Sequence, residues 1–275
     1  MKIQTNIPNL TNQRYVGNSR QTEEKESIRL SSGSRITQAA DDPAGLAIAE
    51  TMRSRIRSYR QAGRNASDGI SLLQTADGSL STISNNVVRL RELAMQAASD
   101  TVSNDERRLA GLEFIGLKKE IERVTSSTEF NGTKILNGAN KVYDLQVGIN
   151  NNPSQDRLSY NLKKVMKKIG DTSLSGATIE SKTSAQNSLG KIDSFLSDLN
   201  TGRAEVGSVM KRMESIGQGI AISDESHSAS RSKITDTDYA LSAANRANAN
   251  IRLEAGISVL SQTANVSKSA LRLLD

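Results

Sequence analysis

Between Met52 and Leu73, small and apolar residues recur at alternating steps of four and three: Met52, Ile56, Tyr59, Gly63, Ala66, Ile70 and Leu73. A step averaging about 3.5 residues keeps one face of an α-helix turned toward a partner helix, so it predicts a coiled-coil seam and excludes a strand. Asp41-Asp42-Pro43 supplies the start. The Asp42 carboxylate can accept the orphan amides of a first turn, and Pro43 suits a first helical position that needs no amide hydrogen. The seam slips near Asp77-Gly78 and resumes at Leu80, Ile83, Val87, Leu90, Ala94 and Ala97. A helix over 44–99 would reach about 85 Å, a rod rather than the core of a compact domain. Gly63, Gly69 and Gly78 weaken such a helix in isolation and mark places where another helix approaches its backbone.

A break at Ser99–Val102 follows. Ser103 and Glu106 then form an S-x-x-E capping box opening a helix over 104–125, with Leu109, Leu112, Leu117, Ile121 and Val124 as its expected inner face. From Phe130 the period falls to two. Asn131-Gly132 and Asn137-Gly138 are turn dipeptides, Tyr143, Leu145, Val147 and Ile149 alternate with Val142, Asp144, Gln146 and Gly148, and Leu158, Tyr160 and Leu162 alternate again after a turn at 150–153. This predicts a small β-hairpin. Residues 170–188 read as an exposed linker. A third long helix begins near Thr183, its seam running through Leu189, Ile192, Leu196, Leu199, Val206, Met210, Met213, Gly217 and Ile220, with Arg203 interrupting.

The ends are amphipathic but marginal. Ile3, Ile7 and Leu10 keep helical spacing before the polar run Gly17–Ser27. Leu253, Ile257, Leu260, Ala264, Leu271 and Leu274 form a stripe near the C-terminus. Neither segment buries enough surface to fold alone, so they are expected to pack on each other and on neighbouring copies. Asp236 and Asp238, in ITDTDY (234–239), break the last long helix from the terminal one, as Asp41, Asp42 and Pro43 do at the other end; both breaks read as hinges.

Chemistry is sparse. Cysteine and tryptophan are absent and aromatics make up 3% of the chain. No thiolate metal site or disulfide can form. His227 is the single histidine, with no cysteine or second histidine to join it in a metal site. No catalytic residue, cofactor site or metal site is expected, and an enzyme is the reading with the least support. Arg53, Arg57, Arg60 and Arg64 share a helix face, but no aromatic platform accompanies them, so solvated charge is preferred over nucleic-acid binding. No apolar run predicts a signal peptide or a membrane span.

RLSSGSRITQAADDPAGLAIAE (29–50), RNASDGISLLQTADG (64–78), RLRELAMQAASDT (89–101), EFNGTKILNG (129–138), YDLQVGIN (143–150), RSKITDTDYA (231–240) and GISVLSQTANVSKSALRLLD (256–275) resemble bacterial flagellin, in the usual order. The resemblance implies a filament subunit lacking large outer domains. Its fold would be mainly α: a long antiparallel coiled-coil bundle, a small β-hairpin region and paired terminal helices. It divides the chain into an N-terminal inner-tube helix (1–40), rod helices (41–130), a β-hairpin region with a short variable loop (131–179), a third rod helix (180–235) and a C-terminal inner-tube helix (236–275). Inner-tube packing would involve Ile3, Ile7, Leu10, Leu253, Ile257, Leu260, Leu271 and Leu274. It further implies an extracellular flagellum reached through the flagellar secretion apparatus, and partners in an export chaperone, the filament cap and the hook-junction proteins. Matching RLRELA and KEIERV to the family places contacts for the Toll-like receptor that senses flagellin at Arg89, Leu93 and Glu120. The open alternatives are a hook–filament junction protein and a secreted coiled-coil adhesin or regulator.

Overall fold

The computed structural model describes residues 6–136, 142–161 and 174–272, with Ser175 and the last seven by backbone alone. In chain order the elements are α1 (Ile7–Ser32), α2 (Pro43–Ala97), α3 (Asn104–Ser127), β1 (Glu129–Phe130), β2 (Thr133–Lys134), β3 (Val142–Gln146), β4 (Arg157–Asn161), a 3-10 turn at Leu174–Gly176, α4 (Lys182–Thr235) and α5 (Tyr239–Arg272). The mainly helical class, the coiled-coil bundle, the hairpin and the paired terminal helices are as the sequence predicts.

The chain forms two compact units, one comprising residues up to Ile56 and from Glu225, the other Arg57–Asp224. The division falls inside α2 and α4 rather than at 40/41 and 235/236. The first turns of α2 pack on the chain that precedes them: Ile36, Ala49 and Ile56 are buried, and a Cβ on Gly45 would lie 3.0 Å from Ile36 Cδ1.

Within Arg57–Asp224, α2 and α4 run antiparallel in constant register. Lys182 pairs with Asp100 at 2.6 Å, Asp193 with Arg91 at 2.7 Å, Arg203 with Asp77 at 3.0 Å and Asp224 with Arg60 at 3.1 Å. Exposed pairs of this kind contribute about 0–1 kcal/mol each. Burial of the seam stabilises the pair more. On α2 it runs through Ala62, Ala66, Gly69, Leu73, Ala76, Leu80, Ile83, Val87, Leu90, Ala94 and Ala97 without a slip at Asp77-Gly78. The slip predicted from sequence vanishes because Ala76, a small residue, holds a seam position. On α4 the seam is Ala185, Ser188, Ile192, Phe195, Leu199, Gly202, Val206, Met213 and Ile220. Leu189, Leu196 and Met210 flank it, and Arg203 does not interrupt it, since Gly202 holds the seam position while Arg203 reaches Asp77.

α3 departs from its expected face. Phe114, Ile121 and Val124 are buried and Leu117 is half-buried, whereas Leu109 and Leu112 are 63% and 67% exposed. Arg107 sets this phase. Its side chain is buried and donates from Nε to Ala97 O at 2.8 Å, from Nη2 to Ser99 O at 2.7 Å and from Nη1 to Asn104 Oδ1 at 2.9 Å. It thereby satisfies carbonyls that the end of α2 leaves unpaired. With Arg107 inward, residues a turn or two later on that face, Gly111 and Phe114, also turn in. The capping box is present: Glu106 N donates to Ser103 Oγ, and Ser103 N to Glu106 Oε2.

The β1–β2 turn places Asn131 and Gly132 at φ 48° and 72°, the left-handed pair that a two-residue hairpin demands. β3 and β4 pair antiparallel with Leu145 opposite Leu158 and Tyr143 opposite Tyr160. They dock on the helices through a cluster of Val147, Leu158, Ala66 and Met213. Asn137-Gly138 and Leu162 lie outside the described residues. The linker expected at 170–188 is only partly exposed where it is described, Gly176, Thr178, Glu180 and Ser181 facing out. Leu174, Ala177 and Ile179 are buried in the main core, and Lys118 and Lys191 donate to the carbonyls of Ala177 and Gly176.

Candidate self-assembly surface

The crossover from α1 to α2 begins at Gly33, whose φ of 68° ends α1 in a left-handed cap, with its amide donating to Arg29 O. This chain then meets the crossover from α4 to α5. Ser34 and Asp236 form an antiparallel bridge, with Arg35 N donating to Thr235 O at 2.7 Å and Thr237 N to Gly33 O at 3.0 Å. The Arg35 guanidinium adds two bonds to Ile234 O. Thus the two breaks are stitched into one joint.

Each residue expected at the breaks has a definite part there. Asp42 Oδ1 accepts from Gly45 N at 2.8 Å, so it caps α2, and Pro43 is the first residue of that helix. Asp238 Oδ1 accepts from Leu241 N at 3.0 Å and caps α5. Asp236 accepts from Ser232 and Thr235 hydroxyls. Asp41 does not cap; it accepts from Thr37 N at 3.1 Å and Thr37 Oγ1, and forms a 2.7 Å ion pair with Lys25 of α1. The Lys25 ammonium, then the Thr37 amide, hold the Asp41 carboxyl well below the usual carboxylate range. No local spacing in the sequence marks Lys25 and Arg35 for these parts, since their partners lie on other segments.

α1 and α5 pack antiparallel. Arg246 pairs with Glu23 at 3.2 Å, and Val16 fills the space beside Gly256, where a Cβ would lie 2.5 Å from Val16 Cγ2. Polar residues share the space between the helices with Val16 and the buried Ala249. Glu26 and Ser242 are buried, and a groove of about 580 Å³ is lined by Asn12, Ser19, Thr22, Asn245, Asn248 and Arg252, among others. Ile7, Leu10, Tyr15, Tyr239, Leu241, Ile251 and Ile257 instead face outward, each more than half exposed. Leu253 and Leu260 are half-buried. The expected packing residues are therefore not collected into one core within the subunit; Ile3, Leu274 and the side chain of Leu271 lie outside the described residues.

Of the three receptor positions, Arg89 pairs with Glu92 and Glu113, Glu120 pairs with Arg123, and Leu93 is buried. The structure thus sets Glu113, not Glu120, against Arg89. In the arginine-rich face, Arg53, Arg60 and Arg64 engage Glu50, Asp224 and Gln61. Among the described residues there is no cluster of three metal-ligating side chains and no helix long and apolar enough to cross a membrane.

Residues 3–141 match the bacterial flagellin N-terminal helical region, and residues 189–274 match the bacterial flagellin C-terminal helical region. The chain belongs to the bacterial flagellin family. It is 35% identical over 274 residues to a flagellin of Halalkalibacterium halodurans and 32% identical over 284 residues to the flagellar filament core protein flaB2 of Brachyspira hyodysenteriae. All of this chain and all of each relative are covered in both cases. A Vibrio parahaemolyticus structure described as a flagellar hook-associated protein matches with a TM-score of 0.56 at 12% identity, over 71% of this chain and 100% of that one, a likeness of fold alone. As a flagellin without large outer domains, the chain is a structural subunit of the flagellar filament, and its place is the flagellum.

Proposed function

We propose that this flagellin polymerises through the outward faces of α1 and α5, which neighbouring copies cover to build an inner tube. The apolar side chains left on the outward faces of α1 and α5 carry this reading. Ile7, Leu10, Ile251 and Ile257 are exposed in the subunit, and burying one such side chain contributes about 1.5–3 kcal/mol. Contacts repeated head to tail between non-identical patches generate a helical polymer when the rotation between copies does not close. In the sequence, Ile3, Leu271 and Leu274 continue the spacing of these stripes. The joint at Asp41, Asp42, Pro43, Asp236 and Asp238 acts as the hinge that lets terminal helices take up their places.

The same exposed stripe on α5 suits an export chaperone before assembly, and the filament cap and hook-junction proteins afterwards. Export through the flagellar secretion apparatus suits a cysteine-free chain, which needs no disulfide chemistry on arrival. Recognition by the Toll-like receptor would centre on Arg89, whose side chain is half exposed; an Arg89→Ala filament digest should then lose receptor activation.

Deleting Ser258–Asp275 tests the central reading. The truncated chain should stay a soluble monomer under conditions that seed growth of the unchanged chain. Normal filaments from it in electron micrographs would overturn the proposal.

A further inference from the structure

Arg35 touches the ends of three helices. Its carbonyl accepts from Arg29 Nε of α1 at 3.1 Å. Its amide donates to Thr235 O, at the end of α4, at 2.7 Å. Its guanidinium donates from Nε and Nη2 to Ile234 O at 3.2 and 2.8 Å, and Nη2 lies 3.8 Å from Oδ2 of Asp42, the cap of α2. A helix leaves its last carbonyls without partners of its own. On α4, Arg35 takes two of these, Ile234 O and Thr235 O, and Ser34 Oγ adds a bond of 3.0 Å to Thr235 O. The end of α4 is thus closed in part by a residue 199 positions away, and α5 begins shortly afterwards, at Tyr239. The Lys25–Asp41 pair ties the first crossover to α1; Arg35 ties it to the end of α4.

We propose that Arg35 is a positioning residue for self-assembly: it fixes the direction in which α1 and α5 leave the ends of α2 and α4, and so the way their outward faces are presented. Its chemistry suits direction more than strength. The side chain is 50% exposed, and charged contacts open to water add little stability. The planar guanidinium nevertheless sets two donors on one carbonyl oxygen and restricts the angle between the segments it joins. An ammonium on a flexible stem carries the same charge without that restriction. This inference rests on the self-assembly reading above and names the side chain that sets its joint.

The chain has no cysteine, so spin labels at Ser226→Cys on α4 and Ala247→Cys on α5, both exposed positions, report on the joint in the full-length monomer. With Arg35 in place the distance between the labels should be narrowly distributed. Arg35→Gln and Arg35→Lys should each broaden that distribution while helicity and melting temperature stay as they were. In the unlabelled chain both should raise the critical concentration for polymerisation severalfold, read by sedimentation. A merely structural role would lower helicity and melting temperature and leave the distances in the folded fraction unchanged; that result overturns the proposal, as does a distribution already broad with Arg35 in place. A loosened joint with an unchanged critical concentration also overturns it and leaves the self-assembly reading standing. An unsubstituted chain that stays monomeric overturns both.

Discussion

Lys25 and Asp41 stand 2.7 Å apart, so the crossover that leaves α1 folds back and is tied to the helix it has just left. Asp41 also receives the Thr37 amide and hydroxyl, and so gathers α1 and the crossover at one carboxylate.

This carboxylate makes the joint acid-sensitive. Its folded pKa is depressed, first by Lys25 and then by the Thr37 amide. A depressed carboxylate contributes stability that is present above its unfolded pKa of about 3.9 and is lost as pH falls toward the folded value. Hydrogen exchange at Thr37 N should therefore be slow at pH 6 and accelerate, relative to the intrinsic rate, below about pH 4. Asp41→Asn should remove most of that protection at pH 6 and flatten its pH dependence. A wild-type protection factor that stays level down to pH 2 would refute the assignment.

Arg107 joins the end of α2 to the start of α3. Arg107→Ala leaves the carbonyls of Ala97 and Ser99 without their donors in a buried setting. The cost expected for losing charged hydrogen bonds is about 2–4 kcal/mol in chemical denaturation. Arg107→Lys should recover only part of it, because an ammonium lacks the planar fork. Full recovery by lysine would show that charge alone matters at this position.

Glycines of α2 should respond with opposite signs. At Gly69 a Cβ would collide with Met213 Cε and lie 2.6 Å from Leu145 Cδ1, whereas at Gly78 it would meet nothing. Gly69→Val is expected to destabilise by about 1–3 kcal/mol through overpacking where the β3–β4 pair meets the seam. Gly78→Ala is expected to stabilise the monomer by up to about 1 kcal/mol. Thermal melts of the two variants decide the matter.

The phase of α3 is open to a direct comparison. Phe114→Ala should cost about 3–5 kcal/mol, as truncation of a buried ring does. Leu109→Ala, at an exposed site, should stay within about 0.5 kcal/mol in the monomer. Equal losses in urea titrations would restore the face predicted from spacing.

Much of the fold is legible in the sequence because it depends on local periodicity. The 3.5-residue step of α2, the Asp42-Pro43 start, the Ser103–Glu106 box and the Asn131-Gly132 turn each involve neighbours within a few residues, where spacing fixes geometry. Small residues blur the seam. Gly69, Ala76 and Gly202 lie buried on it, yet their composition does not distinguish a seam position from a surface one. On α3, leucines draw the expected face to Leu109 and Leu112, although the buried arginine near the helix start sets the phase. The segment 174–179 reads as a linker since three apolar residues among polar ones carry no period, yet Leu174, Ala177 and Ile179 are buried.

By itself the sequence determined the helical class, the seams, the caps, the absence of thiol chemistry and, through its resemblance, the family. Each follows from residue types at fixed short spacing. Only the tertiary structure decided which side of each helix is inside the subunit. It turned Glu26 and Ser242 inward and Ile7, Leu10 and Ile257 outward, and it left Leu112 beside an open groove. An amphipathic stripe states that a face must be covered. Whether the same chain or its neighbour covers it depends on partners distant in sequence, such as Asp41 for Lys25 and Ala97 for Arg107.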